Sequence, residues 1–260
     1  MYMFMLNKPK LSDEQVAQFR DLGFVALKSA FNAAETEAIQ YWATDIAALP
    51  EEAGRHWVYH ETSLLDGKKD LINRIENMTP FHEGLSELAG SFMPSVGQLL
   101  GEAAALFKDK INFKMSGGEG FEPHQDSQAG WEDYAKYFIN VMVCIDEATI
   151  ENGCLELARR PDSLADAHLV GQEWVPLSEQ ATAAMDFKSY PMRPGDVIFF
   201  DSYAPHKSAR NMTDTTRRLY FSTYNRLSEG EHLTAYYADK RKSYPPDIER
   251  EADKDYVYRV

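Results

Sequence analysis

The spacing of hydrophobic residues changes part-way along the chain. Over residues 33–49, apolar positions recur at the spacing of one face of a helix. From Asp109 onward they alternate with polar positions, as in residues 110–115, and alternation is typical of strands. Helices followed by short strands predict an α+β fold with an antiparallel core.

Local signals delimit the predicted helices. Ser12, followed three residues later by a glutamine, predicts a capping box, and Gly23 ends the helix that it opens. Asn32 is predicted to cap the second helix. A third helix is predicted over residues 83–107, with a break at Pro94.

The strands are predicted from short apolar or β-branched runs bounded by turn residues. They cover residues 24–27, 110–115, 138–145, 154–157, 190–193, 197–200 and 219–224. No linker composition interrupts them, so a single domain is predicted over residues 1–260. Its parts are a mainly helical region at 1–108, a β core at 109–227 and a C-terminal cover at 228–260.

Charge and composition narrow the range of partners. The formal net charge is −14 and no dense Lys/Arg cluster occurs, which disfavours nucleic acid and anionic membranes. Cys144 and Cys154 lack metal-type spacing, and neither a signal peptide nor a membrane-length apolar run is evident. We therefore predict a cytoplasmic protein that acts on a small molecule, with its oligomeric state left open.

Three residues have the types and order of a metal site. His124 and Asp126 are two residues apart, so both side chains point the same way on an extended segment. His206 follows a predicted strand 80 residues after Asp126. Two imidazoles and one carboxylate form the facial triad of non-haem Fe(II) oxygenases. A His-X-Asp pair also arises by chance, so the triad needs support from other residues.

That support comes from the segment after His206. Arg217 lies eleven residues further on, across a turn, and Ser208 offers a hydroxyl two residues past the histidine. An inward-pointing guanidinium suits a bidentate carboxylate. Arg218 is predicted to point the opposite way because neighbours on a strand alternate.

The ordered set of motifs resembles the phytanoyl-CoA dioxygenase family of iron- and 2-oxoglutarate-dependent oxygenases. The similarity covers about nine-tenths of the chain and lies in Leu11–Leu27, Lys110–Lys114, Pro123–Asp126, Ile145–Thr149, Glu151–Leu155, Pro194–Phe200, Pro205–Ser208 and Arg217-Arg218. It implies a double-stranded β-helix (jelly-roll) core carrying N-terminal helices.

The resemblance also implies roles for individual residues. It assigns His124, Asp126 and His206 to Fe(II), with O2 as the oxidant. Arg217 would bind the C5 carboxylate of 2-oxoglutarate, assisted by Ser208 and Asn112. The implied reaction hydroxylates an unactivated C–H bond and releases succinate and CO2. An intact Asp126 favours hydroxylation over halogenation.

The substrate is less specified. Trp131, Lys114 and Arg159 are predicted to bind it, and Lys108 and Lys110 could receive an anionic group. Phosphonate hydroxylases, ectoine-type hydroxylases and natural-product tailoring enzymes all belong to the family, and a small polar metabolite is favoured over a CoA thioester.

Several features remain open. The turn at residues 158–163 departs from the family pattern. His56 and His60 have i,i+4 spacing but no third ligand, so a metal site there is disfavoured. Two alternatives stand beside the oxygenase: a non-catalytic jelly-roll binding protein, and a cupin-type metalloenzyme that does not use 2-oxoglutarate.

Overall fold

The computed structural model describes residues 6–160 and 168–256. Helices in this part of the chain are α1 (Asp13–Leu22), α2 (Ala33–Ala48), α3 (Glu83–Leu100), α4 (Glu179–Thr182) and α5 (Leu233–Ser243). Both predicted caps are confirmed: Ser12 and Asn32 each complete a capping box. Gly23 ends α1 in the left-handed conformation, with φ of 87°.

The third helix differs from its prediction in two ways. It continues through Pro94, which lies on an exposed position, so the predicted break is wrong. It also ends at Gly101, whose φ of 78° is left-handed, rather than at residue 107. The apolar residues after Gly101 belong to a strand instead.

Eleven strands are described: β1 (Phe24–Leu27), β2 (Trp57–Thr62), β3 (Asp70–Glu76), β4 (Ala104–Lys114), β5 (Phe121–His124), β6 (Ile139–Cys144), β7 (Leu155–Leu157), β8 (Lys188–Tyr190), β9 (Val197–Asp201), β10 (His206–Ser208) and β11 (Arg217–Arg226). They form a seven-stranded sheet in the order β1-β9-β6-β11-β4-β3-β2 and a four-stranded sheet in the order β5-β10-β7-β8. All strand pairings are antiparallel, as predicted.

The prediction that residues 1–108 are mainly helical misses the β2–β3 hairpin. This hairpin extends the large sheet beside β4. Its strands carry polar residues such as His60, Glu61 and Arg74, all of which line a cavity. Because polar side chains occupy both faces, the hairpin lacks the apolar alternation by which the other strands were recognised.

The core lies on both faces of the large sheet. Along β9, Val197 and Phe199 pack among the residues of the N-terminal helices, whereas Ile198 and Phe200 pack among those of the small sheet. This alternation is the period of a strand buried on both faces.

The C-terminal cover predicted from residue 228 contains helix α5, Leu233–Ser243. Helix α5 packs Tyr236 and Tyr237 into an aromatic cluster with Trp57, Phe107 and Trp131. No helix within the described residues has both the length and the apolar character needed to cross a membrane.

Candidate active site

Strand pairing brings the two histidines together. His124 is the last residue of β5, and it is the direct partner of His206 on β10. Asp126 follows on a 3-10 turn, not on the strand itself. The intervening Gln125 is extended, with φ −113° and ψ 131°, so the predicted common orientation of His124 and Asp126 is retained.

The three side chains converge on one point. A potential ligand atom from each of them lies within 4.8 Å of the other two. The Asp126 carboxylate oxygens are 3.9 Å from His124 Nε2 and 3.7 Å from His206 Nε2. This spacing suits a single ion bound by one atom from each residue.

Hydrogen bonds leave the correct nitrogen of each imidazole free. His124 Nδ1 donates to the Glu122 carbonyl at 2.7 Å, and His206 Nδ1 donates to the Ala204 carbonyl at 3.0 Å. A neutral imidazole that donates through Nδ1 has its lone pair on Nε2. Both lone pairs therefore face the centre of the triad.

The electrostatics favour the same protonation states. Burial lowers the pKa of His124 to about 3, with a further contribution from His206. Burial would raise the pKa of Asp126, but His206 and Lys108 outweigh it, and the pKa falls to about 2. Neutral imidazoles and an ionised carboxylate are the forms that bind a metal cation.

The carboxylate is also held from behind. Asn140 Nδ2 donates to Asp126 Oδ2 at 3.0 Å, and Thr223 Oγ1 donates to Asn140 Oδ1 at 2.7 Å. All three side chains are buried. This chain of hydrogen bonds sets the orientation of the carboxylate, in the way that residues surrounding metal ligands commonly do.

The triad opens into a cavity of about 400 Å³. One face of β4 supplies much of its wall, because Lys108, Lys110 and Asn112 are spaced two apart and point the same way. Lys108 is only 9% exposed, and its Nζ lies 4.0 Å from the centre of the Trp131 ring. Within the described residues, neither lysine has a hydrogen bond or an ion pair.

A second cationic position lies on the neighbouring strand. Arg217 is 2% exposed and lines the same cavity. Its Nε has no hydrogen-bond partner in the described part of the chain, and neither has the buried Oδ1 of Asn112. An unpaired buried guanidinium is costly, so this position fits a carboxylate ligand that the chain itself does not provide. Arg218 points outward and pairs with Asp146 at 2.7 Å, as predicted.

Lys114 lies near Arg217 but behind the cavity wall. It is the direct partner of Arg217 across the β4–β11 ladder. Its Nζ donates to Ser208 Oγ at 2.7 Å and to the Ala209 carbonyl. Ser208 lines the cavity, whereas Lys114 is not part of its lining. The structure thus brings Ser208, Asn112 and Arg217 together and places Lys114 at their end of the site, not at a separate substrate position.

The other predicted substrate residues do not line the cavity. Trp131 is buried in the aromatic cluster, and it contributes only through its contact with Lys108. Arg159 is exposed and forms an ion pair with Asp21 of α1 at 2.6 Å. In the divergent turn, Arg160 is buried against Asp201, and residues 161–163 lie outside the described residues.

His56 and His60 do not form a second metal site. His60 is on β2, where its ring nitrogens approach Glu51 at 3.2 Å and Asp247 at 3.4 Å. His56 precedes the strand, so the helical i,i+4 relationship does not exist. Among the described residues, the only triad of possible metal ligands is His124, Asp126 and His206.

Sequence reasoning missed several residues of the cavity wall. Tyr59 and Arg74 come from the overlooked hairpin, and Trp174 comes from a segment without regular strands. A positive φ of 66° places Trp174 against Gly130, where a side-chain Cβ would lie 2.3 Å from its ring. The short apolar run at the start of β2, Trp57–Tyr59, was the available signal for the hairpin.

Known proteins resemble this chain along most of its length. Residues 19–219 match the family model for phytanoyl-CoA dioxygenase. The chain is 40% identical over 250 residues to 2-aminoethylphosphonate dioxygenase from an uncultured bacterium (HF130_AEPn_1), covering 94% of this chain and 93% of that protein. It is 35% identical over 236 residues to methylphosphonate hydroxylase from Gimesia maris, covering 90% and 88%.

Solved structures agree on the fold. EctD from S. alaskensis, solved with 2-oxoglutarate and 5-hydroxyectoine, superposes with a TM-score of 0.69 at 24% identity, covering 84% of this chain and 77% of that one. The likeness confirms the predicted jelly-roll core. The family model and the two relatives also disfavour both alternative interpretations, because they are matches to oxygenases. The chain belongs to the phytanoyl-CoA dioxygenase family of iron- and 2-oxoglutarate-dependent oxygenases.

Proposed function

We propose that this enzyme hydroxylates the carbon bonded to phosphorus in a small organophosphonate. The observation that carries the proposal is the presence of two separate groups of unpaired basic side chains on the cavity wall. Arg217 lies at one position, and Lys108 and Lys110 lie at the other. Two separate positions suit two anions, one on the co-substrate and one on the substrate.

His124, Asp126 and His206 would hold the iron through Nε2, a carboxylate oxygen and Nε2. The hydrogen bonds to Glu122, Ala204 and Asn140 support this role because they fix each side chain in a ligating orientation. When bound, iron and 2-oxoglutarate supply the oxidation of an unactivated C–H bond by O2, with release of succinate and CO2.

Arg217 would bind the C5 carboxylate of 2-oxoglutarate, with Ser208 and Asn112 as further polar contacts. Burial lowers the pKa of Arg217 to about 10, so the guanidinium stays charged at neutral pH. A buried charged fork aligns a carboxylate through paired hydrogen bonds. The co-substrate is thereby oriented by side chains of β4, β10 and β11.

Lys108 and Lys110 would bind the phosphonate. Both interact electrostatically with Asp126, so an anion bound to them lies beside the metal ligands. The carbon next to phosphorus would then be the part of the substrate closest to the iron. The two relatives named for phosphonate substrates support this class of substrate.

The direct test measures turnover with a panel of phosphonates. Purified protein is supplied with Fe(II), ascorbate and 2-oxoglutarate, together with methylphosphonate, 2-aminoethylphosphonate or a carboxylate of matching length. We expect phosphonate-dependent formation of succinate and a hydroxylated product seen by phosphorus NMR. A protein that binds iron and 2-oxoglutarate but turns over none of the phosphonates would refute the substrate class.

Charge removal at the β4 lysines gives a second test. Lys108→Met and Lys110→Met should each raise the KM for the phosphonate about tenfold or more, since a hydrogen bond to a charged group contributes roughly 1.5–3 kcal/mol. Lys188→Met is the control because Lys188 is exposed and pairs with Asp186 outside the cavity. An unchanged KM in both β4 variants would contradict the assignment.

A further inference from the structure

Lys114 is a buried lysine that does not line the cavity, so any role in ligand binding must be indirect. It is 2% exposed and lies behind the cavity wall. Its two hydrogen bonds, to Ser208 Oγ at 2.7 Å and to the Ala209 carbonyl at 2.5 Å, both run to the segment that carries His206. The ammonium is therefore tied to β10 and to the residue that follows it.

Hydrogen-bond chemistry gives this contact a direction. In its charged form the Lys114 side chain has three donors and no acceptor, so Ser208 Oγ then accepts from it. The hydrogen of the Ser208 hydroxyl is then available to another acceptor, and the described residues provide none. Since Ser208 lines the cavity beside Arg217, that hydrogen is available to a ligand there.

The charges also indicate a missing anion. Lys114 and Arg217 are direct partners on neighbouring strands, and neither has an ion pair with a described residue. Burial lowers the pKa of Lys114 to about 6, and Arg217 adds to the effect. A carboxylate bound at Arg217 would favour the charged form of Lys114, because an opposite charge nearby stabilises it.

We propose that Lys114 is a positioning residue for 2-oxoglutarate, which fixes the Ser208 hydroxyl as a donor to the C5 carboxylate held by Arg217. The inference rests on the proposed co-substrate role of Arg217. It extends that role to a residue outside the cavity.

The experiment measures co-substrate affinity without turnover. 2-Oxoglutarate is titrated anaerobically into the Fe(II)-loaded protein, and binding is read from the metal-to-ligand absorbance band. Lys114→Met should raise the Kd about tenfold, the loss expected for one charge-assisted hydrogen bond. Ser208→Ala should give a similar loss. If Lys114 acts through Ser208, the double variant will bind no more than about twofold more weakly than Ser208→Ala, since effects within one network are not additive.

A co-substrate analogue separates positioning from a general structural effect. 2-Oxopentanoate has the same carbon chain but no distal carboxylate. The wild type and Lys114→Met should bind it with equal Kd, whereas a structural defect in Lys114→Met would weaken the binding of both 2-oxoglutarate and 2-oxopentanoate. Equal Kd values for 2-oxoglutarate in the two proteins would overturn the inference. It would also be overturned if the rise in Kd of the double variant equalled the product of the rises in Lys114→Met and Ser208→Ala.

Two further variants cover folding and charge. Lys114→Arg retains hydrogen-bond donors at this position, so it should bind 2-oxoglutarate more tightly than Lys114→Met. It also provides a second folded variant if Lys114→Met folds poorly. Lys188→Met controls for the loss of one positive charge. If the wild type itself fails to bind 2-oxoglutarate, the proposed function fails. If the wild type binds 2-oxoglutarate and the Lys114 variants bind it with the same Kd, the positioning role of Lys114 fails but the proposed function stands.

Discussion

At the scale of single residues, the site depends on side chains that do not touch a ligand. Asn140 illustrates this because one amide both donates to Asp126 and accepts from Thr223. Buried polar groups are stable only when their hydrogen bonds are complete, so the three side chains hold one another in a single arrangement. The proposed metal ligand Asp126 is therefore oriented by the large sheet.

Asn140→Ala should weaken iron binding by roughly 10- to 100-fold, the usual effect of removing a partner of a metal ligand. The loss arises because Asp126 Oδ2 would no longer have its donor. Iron affinity is measured by anaerobic titration, with thermal unfolding as a check on folding. Thr223→Ser, which keeps the hydroxyl, is the matched control, and wild-type affinity in Asn140→Ala would contradict the role.

At the scale of secondary structure, the sequence was informative wherever local chemistry decides the outcome. The capping boxes at Ser12 and Asn32 and the strands buried on both faces were predictable for this reason. The β2–β3 hairpin was not, because residues such as Glu61 and Arg74 face a cavity that only the assembled fold creates.

The candidate site followed a similar division. The grouping of His124, Asp126 and His206 and the inward position of Arg217 could be predicted from residue type and order. Trp174 could not, since its position depends on how an irregular segment folds back over the sheets. Lys114 was predicted as a site residue, but its place behind Ser208 required the pairing of β4, β10 and β11.

The turn between β6 and β7 gives a prediction at this scale. Gly153 has φ of 77°, and a Cβ there would lie 2.1 Å from the Ala209 carbonyl oxygen, whereas Gly54 has φ of 83° with no atom within 4 Å. Gly54→Ala should therefore cost only the conformational term, about 1–2 kcal/mol. Gly153→Ala should lower the free energy of unfolding by more than this, as measured by urea denaturation. Equal losses would show that the contact with Ala209 is unimportant.

At the scale of the whole molecule, an ionic network joins the C-terminal helix to the large sheet. Glu76 on β3 is 2% exposed; it forms an ion pair with Arg74 at 2.7 Å and accepts a hydrogen bond from Lys240 of α5 at 2.5 Å. Tyr237 adds a hydrogen bond from α5 to the backbone carbonyl of Asp109 on β4. The cover is thereby attached to the strands that line the cavity.

This network should make stability depend on pH. Burial would raise the pKa of Glu76, but Lys240 and Arg74 outweigh it, and the pKa falls from 4.5 to about 2. A lowered folded-state pKa means that the stabilisation is present above 4.5 and is lost as the pH falls toward 2. Glu76→Gln should cost roughly 3–5 kcal/mol at neutral pH because it removes the ion pair of the buried Lys240.

Urea unfolding of the wild type and Glu76→Gln across this range measures the effect. The difference between the two proteins should shrink steadily below pH 4.5. A difference that is constant with pH would show that the glutamate acts by packing and not by charge. The exposed pair Lys188–Asp186 offers a control, since Asp186→Asn removes a surface partner only.

The face of β4 that carries Lys108, Lys110, Asn112 and Lys114 has a consequence for how this enzyme can diversify. The distance between the proposed phosphonate and co-substrate positions is set by the rise of the strand, roughly 3.3 Å per residue, and not by flexible side chains. Substitutions at Lys108 and Lys110 can therefore change which head group is accepted while the oxidising centre and its co-substrate stay where they are. A new substrate must therefore have its reactive carbon at the same distance from the head group that binds at positions 108 and 110.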